Sequence, residues 1–283
     1  MMRTAGNPVI RIVDAALHRP TMQHRSSDTE KAILNSLLQR SQSAVYARMQ
    51  DFQFEMRMRE QTLAAAHQLN ASGAAFAVFE YSRCNPQYWH REPSGAFRLR
   101  RDRSPARALN DIFAQGSLYA FECATAIVIV FYKATLDTIG EEAYNRLFAN
   151  TFLFHWNVDE NLGLTTVRTR QFTPGDSLYF DNPEVNPLMP QWQGENVIFM
   201  GGNRYFGHGI GIRSAQEIIM ALNAKRAPFA FRSAYLMDQA TRPNYASLSQ
   251  AAAPGGVAHA NSASIPSGWP HRALVGNSLY LFA

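Results

Sequence analysis

The chain has 283 residues, of which 46% are hydrophobic, 12% aromatic and 17% charged, and it carries a formal net charge of +5. This is the composition of a folded globular protein, and it excludes a largely disordered, collagen-like or coiled-coil chain. No apolar run reaches the roughly 18 to 20 residues of a membrane-spanning helix, and the N-terminus lacks the basic and apolar regions of a secretory signal. No basic stripe with interleaved aromatic residues indicates nucleic-acid binding. We therefore expect an intracellular origin, no membrane insertion and no nucleic-acid partner.

Helices dominate the first half of the chain. Ser27 stands three residues before Glu30, which is the spacing of a capping box, and the periodic apolar residues that follow predict a helix. Ser104 before Pro105 predicts an N-cap and a first helical position, for a helix that ends near Gln115. The other expected elements are a strand plus loop over residues 1–25, a helix over 45–69, a strand over 75–79 and a hairpin of 88–91 with 97–101.

A strongly apolar helix is expected to start at or just before Cys123 and to end near Gly140. The chain then changes to short β segments. We expect strands over 152–156, 177–180, 197–200 and 204–212, a helix over 215–224 and a last strand over 233–237. Helices followed by a mostly antiparallel sheet make an α+β domain. Residues 1–250 are expected to form one catalytic domain, and the Ala, Gly, Ser and Pro-rich residues 251–283 a flexible low-complexity tail.

The cysteine content directs attention to one residue. Cys84 and Cys123 cannot form a disulfide framework, and no C-x-x-C pair indicates zinc. A cysteine at the start of a helix lies beside free backbone N–H groups, which favour an anion and lower the pKa of the thiol. The same N–H groups can hold the oxyanion of a tetrahedral intermediate. Because many buried cysteines are inert, position alone makes Cys123 only a candidate nucleophile.

Three further side chains could work with this thiol. Glu122 precedes it inside an apolar run, where a carboxylate must be paired or have a raised pKa. Glu195 lies in a polar stretch directly before a β segment, and His208 stands between two glycines that would allow close approach. A cysteine on a helix start that faces a histidine or carboxylate on a strand is the arrangement of thiol hydrolases. On sequence alone, a surface carboxylate and a hydrogen-bonded turn histidine are equally good interpretations of Glu195 and His208.

Several long motifs resemble one known family. These motifs are residues 119–129, 137–141, 191–198, 233–236 and 239–242. Together they closely resemble the spore-coat protein-glutamine gamma-glutamyltransferases of spore-forming bacteria, in consistent order over roughly residues 5–248. The resemblance implies a papain-like core related to bacterial cell-wall endopeptidases. It also implies activity without calcium, any other metal or a cofactor.

The resemblance also implies roles for individual residues. It identifies Cys123 as the nucleophile, Glu195 as its proton partner and Glu122 as a partial substitute, with His208 nearby. Aromatic side chains are implied to line a tunnel through which both substrates reach the thiol. The residues expected to bind substrate in this way are Phe76, Trp156, Trp192 and Phe206.

The implied function is the formation of ε-(γ-glutamyl)lysine cross-links between proteins through a Cys123 thioester. The expected partners are spore-coat proteins that bear glutamine and lysine, and the expected location is the spore coat, after synthesis in the mother-cell cytoplasm. Two alternatives remain open from the residues. The same core could hydrolyse amides in peptidoglycan peptides or in glutamine side chains, or the protein could be a catalytically silent coat component.

Overall fold

The computed structural model describes residues 10–12, 27–40, 44–253, 271–275 and 278–282. The described residues form seven α-helices and sixteen strands. The helices are α1 (Asp28–Leu38), α2 (Met49–Ala71), α3 (Pro105–Ala114), α4 (Cys123–Ile139), α5 (Glu141–Leu147), α6 (Ala215–Asn223) and α7 (Tyr245–Ala252). Short 3-10 turns occupy Phe79–Tyr81, Gly116–Leu118 and Pro190–Trp192. None of the described helices is long and apolar enough to cross a bilayer.

Most strands are short, and the main sheet is built from the second half of the chain. The strands are β1 (Arg11–Ile12), β2 (Val45–Tyr46), β3 (Ala75–Phe76), β4 (Trp89–Arg91), β5 (Phe97–Leu99), β6 (Ala120–Phe121), β7 (Phe152–Leu153), β8 (Thr165–Arg168), β9 (Ser177–Asp181), β10 (Gly194–Gly201), β11 (Arg204–Gly207), β12 (Gly211–Arg213), β13 (Tyr235–Leu236), β14 (Gln239–Arg242), β15 (His271–Val275) and β16 (Ser278–Phe282). The main sheet has the order β12-β11-β10-β9-β14-β8, with β13 also paired to β9, and its pairs are antiparallel. This is the expected α+β order of elements.

The helix starts predicted from capping residues are confirmed for α1 and α3. The Ser27 side chain accepts a hydrogen bond from the backbone N–H of Glu30 at 3.0 Å. Ser104 caps α3 in the same way and Pro105 occupies its first turn. The second helix starts at Met49 instead of residue 45, because Val45 and Tyr46 pair with β1 as strand β2.

The predicted strands differ from the structure mainly in length and number. The hairpin of β4 and β5 is confirmed, whereas the segment predicted as one strand over 204–212 forms β11 and β12 with a turn between them. The expected strand over 75–79 is reduced to β3. The short helices α5 and α7 and the strands β8 and β14 were not predicted as elements. All four residues of β8 are exposed, so the strand shows no alternation of buried and exposed positions.

The C-terminal region differs from the expected featureless tail at both ends. Helix α7 continues through Ala252, and β15 pairs with β16 as an antiparallel hairpin. Residues 254–270 lie outside the described residues. The flexibility of the tail therefore stays a prediction.

Helix α4 forms the centre of the core and sets the position of Cys123. Every residue from Ala126 to Tyr132 is fully buried. A helix that is apolar on all sides must be covered on all sides, and α4 packs against α2, α3, α5 and β10. Burial of each large apolar side chain contributes roughly 1.5–3 kcal/mol. The first turn of α4 is therefore held firmly against the main sheet.

A buried ion network joins α2 to the sheet. Arg59, which is 0% exposed, donates to Glu55 at 2.8 Å, to Asp176 at 2.9 Å and to the backbone oxygen of Pro174 at 3.0 Å. Arg242 on β14 donates to the other oxygen of Asp176 at 2.9 Å. Since each buried charge has partners, the network fixes how α2 meets the strand β9 that leads toward the active site.

Replacement of Arg59 is expected to be strongly destabilising. Arg59→Met removes the cation and leaves the carboxylate of Glu55 buried with fewer partners, so we expect a loss of about 3–5 kcal/mol in the free energy of unfolding. Urea denaturation of the purified variant measures this loss. Arg170→Met is the matched control, because Arg170 and Asp238 form an exposed pair that contributes little. Equal losses in the two variants would contradict a stabilising role for the buried network.

Candidate active site

The first turn of α4 is capped by the residue before the cysteine. The two carboxylate oxygens of Glu122 accept hydrogen bonds from the backbone N–H groups of Ala124 and Thr125, each at 2.6 Å. The Thr125 hydroxyl also donates to Glu122 Oε1 at 2.7 Å. A carboxylate at the positive end of a helix is stabilised by these donors and by the helix dipole. Glu122 is therefore both the helix cap and a fixed negative charge beside Cys123.

This cap changes the expected electrostatics of the thiol. The sequence suggested that free N–H groups at the helix start would lower the pKa of Cys123. In the structure, Glu122 takes up the N–H groups of Ala124 and Thr125. Burial raises the pKa of the Cys123 thiol well above its usual value, and the negative charges of Glu195 and Glu122 raise it further. The direction is therefore opposite to the expected lowering of the pKa, and this environment favours the neutral thiol.

Strand β10 brings a buried carboxyl group to the thiol. Glu195 lies opposite Phe180 of β9, is 3% exposed, and its Oε1 has no hydrogen-bond partner among the described residues. Burial raises the pKa of Glu195 well above its usual value, and the charge of Glu122 adds to this. Gly207 makes room for the carboxyl group, because a Cβ there would lie 2.7 Å from Glu195 Oε1. The structure thus brings together the start of α4 and strand β10, which are distant in sequence.

The neighbouring residue on β10, Asn196, also contacts the thiol. Its Nδ2 donates to Cys123 Sγ at 3.4 Å, and its backbone N–H is hydrogen-bonded to the sulfur as well. Both hydrogen bonds lower the pKa of Cys123, against the larger effect of burial. Asn196 lies within one of the family motifs, but its position in the sequence predicts no role for it. The available signal was a second polar residue next to Glu195 at the start of an apolar strand.

His208 is placed differently from Glu195. Its Nε2 lies 3.0 Å from the backbone oxygen of Ala75, and its ring stacks on Phe121 with centroids 4.7 Å apart. Burial lowers the pKa of His208 to about 4, although hydrogen bonds to the backbone of Ala75 and Phe121 act in the opposite direction. The imidazole is thus neutral at neutral pH. It contacts both β3 and β6, and β6 ends two residues before Cys123. The expected close approach at its flanking glycines is found at both, since a Cβ on Gly209 would lie 2.8 Å from Phe76 Cβ.

The four aromatic residues expected to bind substrate separate into two groups. Phe76 and Trp192 are half-buried and stack on each other with centroids 6.3 Å apart, close to His208. Phe206 is 1% exposed in the main core, and Trp156 is also buried in that core. The pair of Phe76 and Trp192 has the exposure that a substrate contact requires. Phe206 and Trp156 are buried, and their contact with substrate stays a prediction.

A second histidine lies near the same helix start and was not singled out from the sequence. The backbone N–H of His155 donates to Thr125 Oγ1 at 2.9 Å, and its ring stacks on Phe79. Burial lowers the pKa of His155, and the Glu122 carboxylate partly opposes this. The backbone φ of His155 is +55°, a left-handed conformation that only the surrounding structure can impose. A lone histidine next to a tryptophan carries no motif that predicts this placement.

A thiol at the start of a buried helix, faced by a buried carboxyl group, is the arrangement of enzymes that transfer or hydrolyse acyl groups through cysteine. Within the described parts of the chain, no three or more His, Cys, Asp or Glu side chains are grouped as metal ligands. The thiol and the carboxyl group together have the arrangement of a thiol-dependent acyl-transfer site.

Comparisons with known proteins agree with this class. The family model described as protein-glutamine gamma-glutamyltransferase matches residues 9–252. A curated protein of that name from Bacillus pumilus (strain SAFR-032) is 46% identical, and the match covers 78% of this chain and 90% of that protein. A second one, from Bacillus mycoides (strain KBAB4), is 42% identical, and the match covers 83% of this chain and 85% of that protein. The solved structure "Transglutaminase from Geobacillus stearothermophilus (without C-terminal extension)" is 52% identical with a TM-score of 0.70, covering 72% of this chain and 97% of that chain. The chain belongs to the protein-glutamine gamma-glutamyltransferase family, whose members are acyltransferases.

Proposed function

We propose that the protein cross-links glutamine to lysine side chains of proteins through a thioester on Cys123, without calcium. The observation that carries the proposal is the placement of a buried carboxyl group beside the thiol: Glu195, 3% exposed on β10, directly precedes Asn196, whose Nδ2 lies 3.4 Å from Cys123 Sγ at the start of α4. Such a pair can move one proton back and forth during acyl transfer, which both halves of the reaction need. The absence of a calcium requirement is supported by the family resemblance.

In the first half of the reaction, Glu195 in its ionised form takes the thiol proton as Sγ attacks the side-chain amide carbon. The S–C bond forms, and the carbonyl oxygen takes the negative charge of the tetrahedral intermediate. The C–N bond then breaks, and the proton on Glu195 passes to the nitrogen, which leaves as ammonia. This step depends on a base, because burial raises the pKa of Cys123 and favours the neutral thiol.

In the second half, the lysine amine attacks the thioester carbon and gives up a proton to Glu195. The C–S bond breaks and Sγ recovers the proton, which restores the neutral thiol and leaves an isopeptide bond. Water competes with lysine at tens of molar, so the site must exclude water until the amine arrives. The stacked rings of Phe76 and Trp192 offer apolar surface on which the lysine stem packs.

Glu122 is assigned an electrostatic role in this mechanism. Its carboxylate is held by Ala124 and Thr125 and is therefore poorly placed to exchange protons with substrate. Its charge raises the pKa of both Glu195 and Cys123. Glu122 thus adds to the effect of burial, which favours the protonated thiol, and it makes Glu195 a stronger base than an isolated carboxylate.

Glu122→Gln is expected to move the acid limb of the pH profile of kcat/KM to lower pH. The reaction requires ionised Glu195, so activity rises with pH through the pKa of Glu195. Loss of the negative charge at Glu122 lowers that pKa toward its usual value, and the limb moves with it. A pH series with a glutamine donor measures the shift. Glu141→Gln, in the first turn of α5, is the control and should leave the profile in place; an unmoved limb in Glu122→Gln would contradict the role of its charge.

The papain-like core, the coat-protein substrates and the spore-coat location are proposed from the family resemblance. The nucleophile at the start of a buried helix, packed on an antiparallel sheet through β10, supports a papain-like core related to cell-wall endopeptidases. The resemblance to spore-coat enzymes supports coat proteins as substrates and the coat as the location. Detection of the protein in coat extracts of the source organism tests the location separately from the chemistry.

Incorporation of a fluorescent primary amine into a glutamine-rich protein, in excess EDTA, tests the proposed activity. We expect label to appear on glutamine side chains with release of one ammonia for each label. Ammonia without label would instead support a hydrolase. Neither label nor ammonia from folded protein would support a silent coat component.

A further inference from the structure

Asn196 has an unusual hydrogen-bonding state for a buried amide. The residue is 6% exposed, its Nδ2 donates to Cys123 Sγ at 3.4 Å, and its Oδ1 has no hydrogen-bond partner in the part of the chain that is described. A buried carbonyl oxygen without a donor is unfavourable, and such a group in a native protein calls for an explanation, such as a catalytic role or a bound partner. Oδ1 belongs to the same planar amide that touches the nucleophile. Any group bound at the sulfur is therefore close to this acceptor.

The backbone N–H groups of Ala124 and Thr125 at the helix start are not available to donate to the sulfur of Cys123. The N–H groups of Ala124 and Thr125 are held by Glu122, as described above. The donors that reach the sulfur are instead the side-chain and backbone N–H groups of Asn196. Asn196 thus replaces the helix N-terminus as the polar contact of the nucleophile.

The reacting group of the proposed substrate matches the unpaired acceptor. A glutamine side chain ends in a primary carboxamide with two N–H donors, and its carbon must lie about 3–3.5 Å from Sγ before attack. The carboxamide nitrogen is bonded to that carbon, so it can reach the Asn196 amide. Glu195 Oε1 is a second buried acceptor without a partner among the described residues, on the adjacent residue of β10. Two unpaired acceptors beside the thiol correspond to two N–H groups on the substrate.

We propose that Asn196 is a specificity-determining residue that recognises the primary carboxamide of the donor glutamine. Its Oδ1 accepts one N–H of the carboxamide while its Nδ2 holds Cys123 Sγ, so the amide aligns nucleophile and substrate together. This inference rests on the proposed function. Glutamate offers no N–H to the acceptor, since its carboxylate would place oxygen against oxygen. In the second half of the reaction the same acceptor takes an N–H of the incoming lysine amine.

Two variants and two acyl donors test the assignment. The donors are N-blocked glutaminyl-glycine, which has the carboxamide, and an activated p-nitrophenyl ester, which has no N–H at the reacting carbon. Asn196→Ala is expected to lower kcat/KM about 100-fold on the carboxamide and less than about 10-fold on the ester, because a site built to bond an N–H loses most when the acceptor is removed. Asn70→Ala, at an exposed position of α2, is the control and should change neither value.

Asn196→Asp separates the two ends of the amide. The variant keeps an oxygen acceptor but loses the side-chain donor to sulfur, and its added charge raises the pKa of the thiol. We expect the ratio of carboxamide to ester activity to stay within about 3-fold of the native ratio, while alkylation of Cys123 by iodoacetamide becomes slower. Unchanged alkylation would mean that the amide does not donate to the sulfur, and the proposal would fail. Because Asp has almost the same shape as Asn, this variant also tests the proposal if Asn196→Ala does not fold.

Two results would overturn the assignment in different ways. If native protein uses the carboxamide and Asn196→Ala loses equally on both donors, Asn196 only positions the thiol and the function stands. If native protein turns over the ester but never the carboxamide, the proposed function itself fails, and the role of Asn196 fails with it.

Discussion

Cys123→Ala is expected to lower amine incorporation at least about 1,000-fold, to the background of the assay. The thiol is the group that forms the covalent bond in the proposed reaction. Neither Glu195 nor Glu122 can replace it as the nucleophile that carries the acyl group to the amine. Cys123 is the first residue of α4 and its side chain is only partly buried, so alanine should leave the core around Ala126–Tyr132 intact. Labelling with a fluorescent amine gives the activity, and thermal unfolding reports the fold.

The other cysteine supplies the matched control. Cys84 is also half-buried, but burial raises its pKa to about 11, with only a partial opposing effect of Arg91. No carboxylate contributes to this shift, and Cys84 lies outside the first turn of α4. Cys84→Ala should therefore keep native labelling. Loss of labelling in Cys84→Ala with retention in Cys123→Ala would reverse the assignment of the nucleophile.

Glu195→Gln is expected to lower kcat about 100- to 10,000-fold, the range of a lost general acid–base group. Glutamine fits the space beside Gly207 but cannot accept the thiol proton, so attack begins from a neutral thiol without a base. The variant should also lose the acid limb of the pH profile. Ammonia release from a glutamine donor in single-turnover experiments isolates the first half of the reaction.

Glu122→Gln is the appropriate comparison for this variant. Because Glu122 is occupied as a helix cap, its loss should reduce the turnover less than the loss of Glu195. Its main cost falls on stability, about 1 kcal/mol for a lost N-cap contact. Equal reductions of kcat in the two variants would show that the two carboxylates share the proton transfer, which contradicts the ranking.

Local signals in the sequence were sufficient for the helices α1, α3, α4 and α6 and for the candidate reacting groups. The cap at Ser27, the pair Ser104 and Pro105, and the stop at Gly140 each depend on residues a few positions apart. The family motifs around Cys123 and Glu195 identified a thiol and a carboxyl group that the fold does bring together. Such features are predictable because capping and periodicity act over one or two helical turns.

Strand boundaries depended on partners that the local sequence does not reveal. Val45 and Tyr46 looked like the start of a helix and instead pair with β1. The exposed strand β8 has no buried face, so its pairing with β14 decides its conformation. Strand propensity is set by neighbours on the sheet and not by the segment itself.

The sequence by itself determined the family, the order of helices before an antiparallel sheet, and the identity of the thiol and its main carboxyl neighbour. Only the tertiary structure decided how these groups are charged. Glu122 folds back onto the N–H groups of its own helix, Asn196 reaches the sulfur from β10, and His208 turns to the backbone of Ala75. The pKa of a thiol depends on burial and on charges a few ångströms away, which come from segments about 70 residues apart in this chain. The sequence predicted a reactive thiol at Cys123, and the packing of β10 against α4 surrounds that thiol with groups that favour its neutral form.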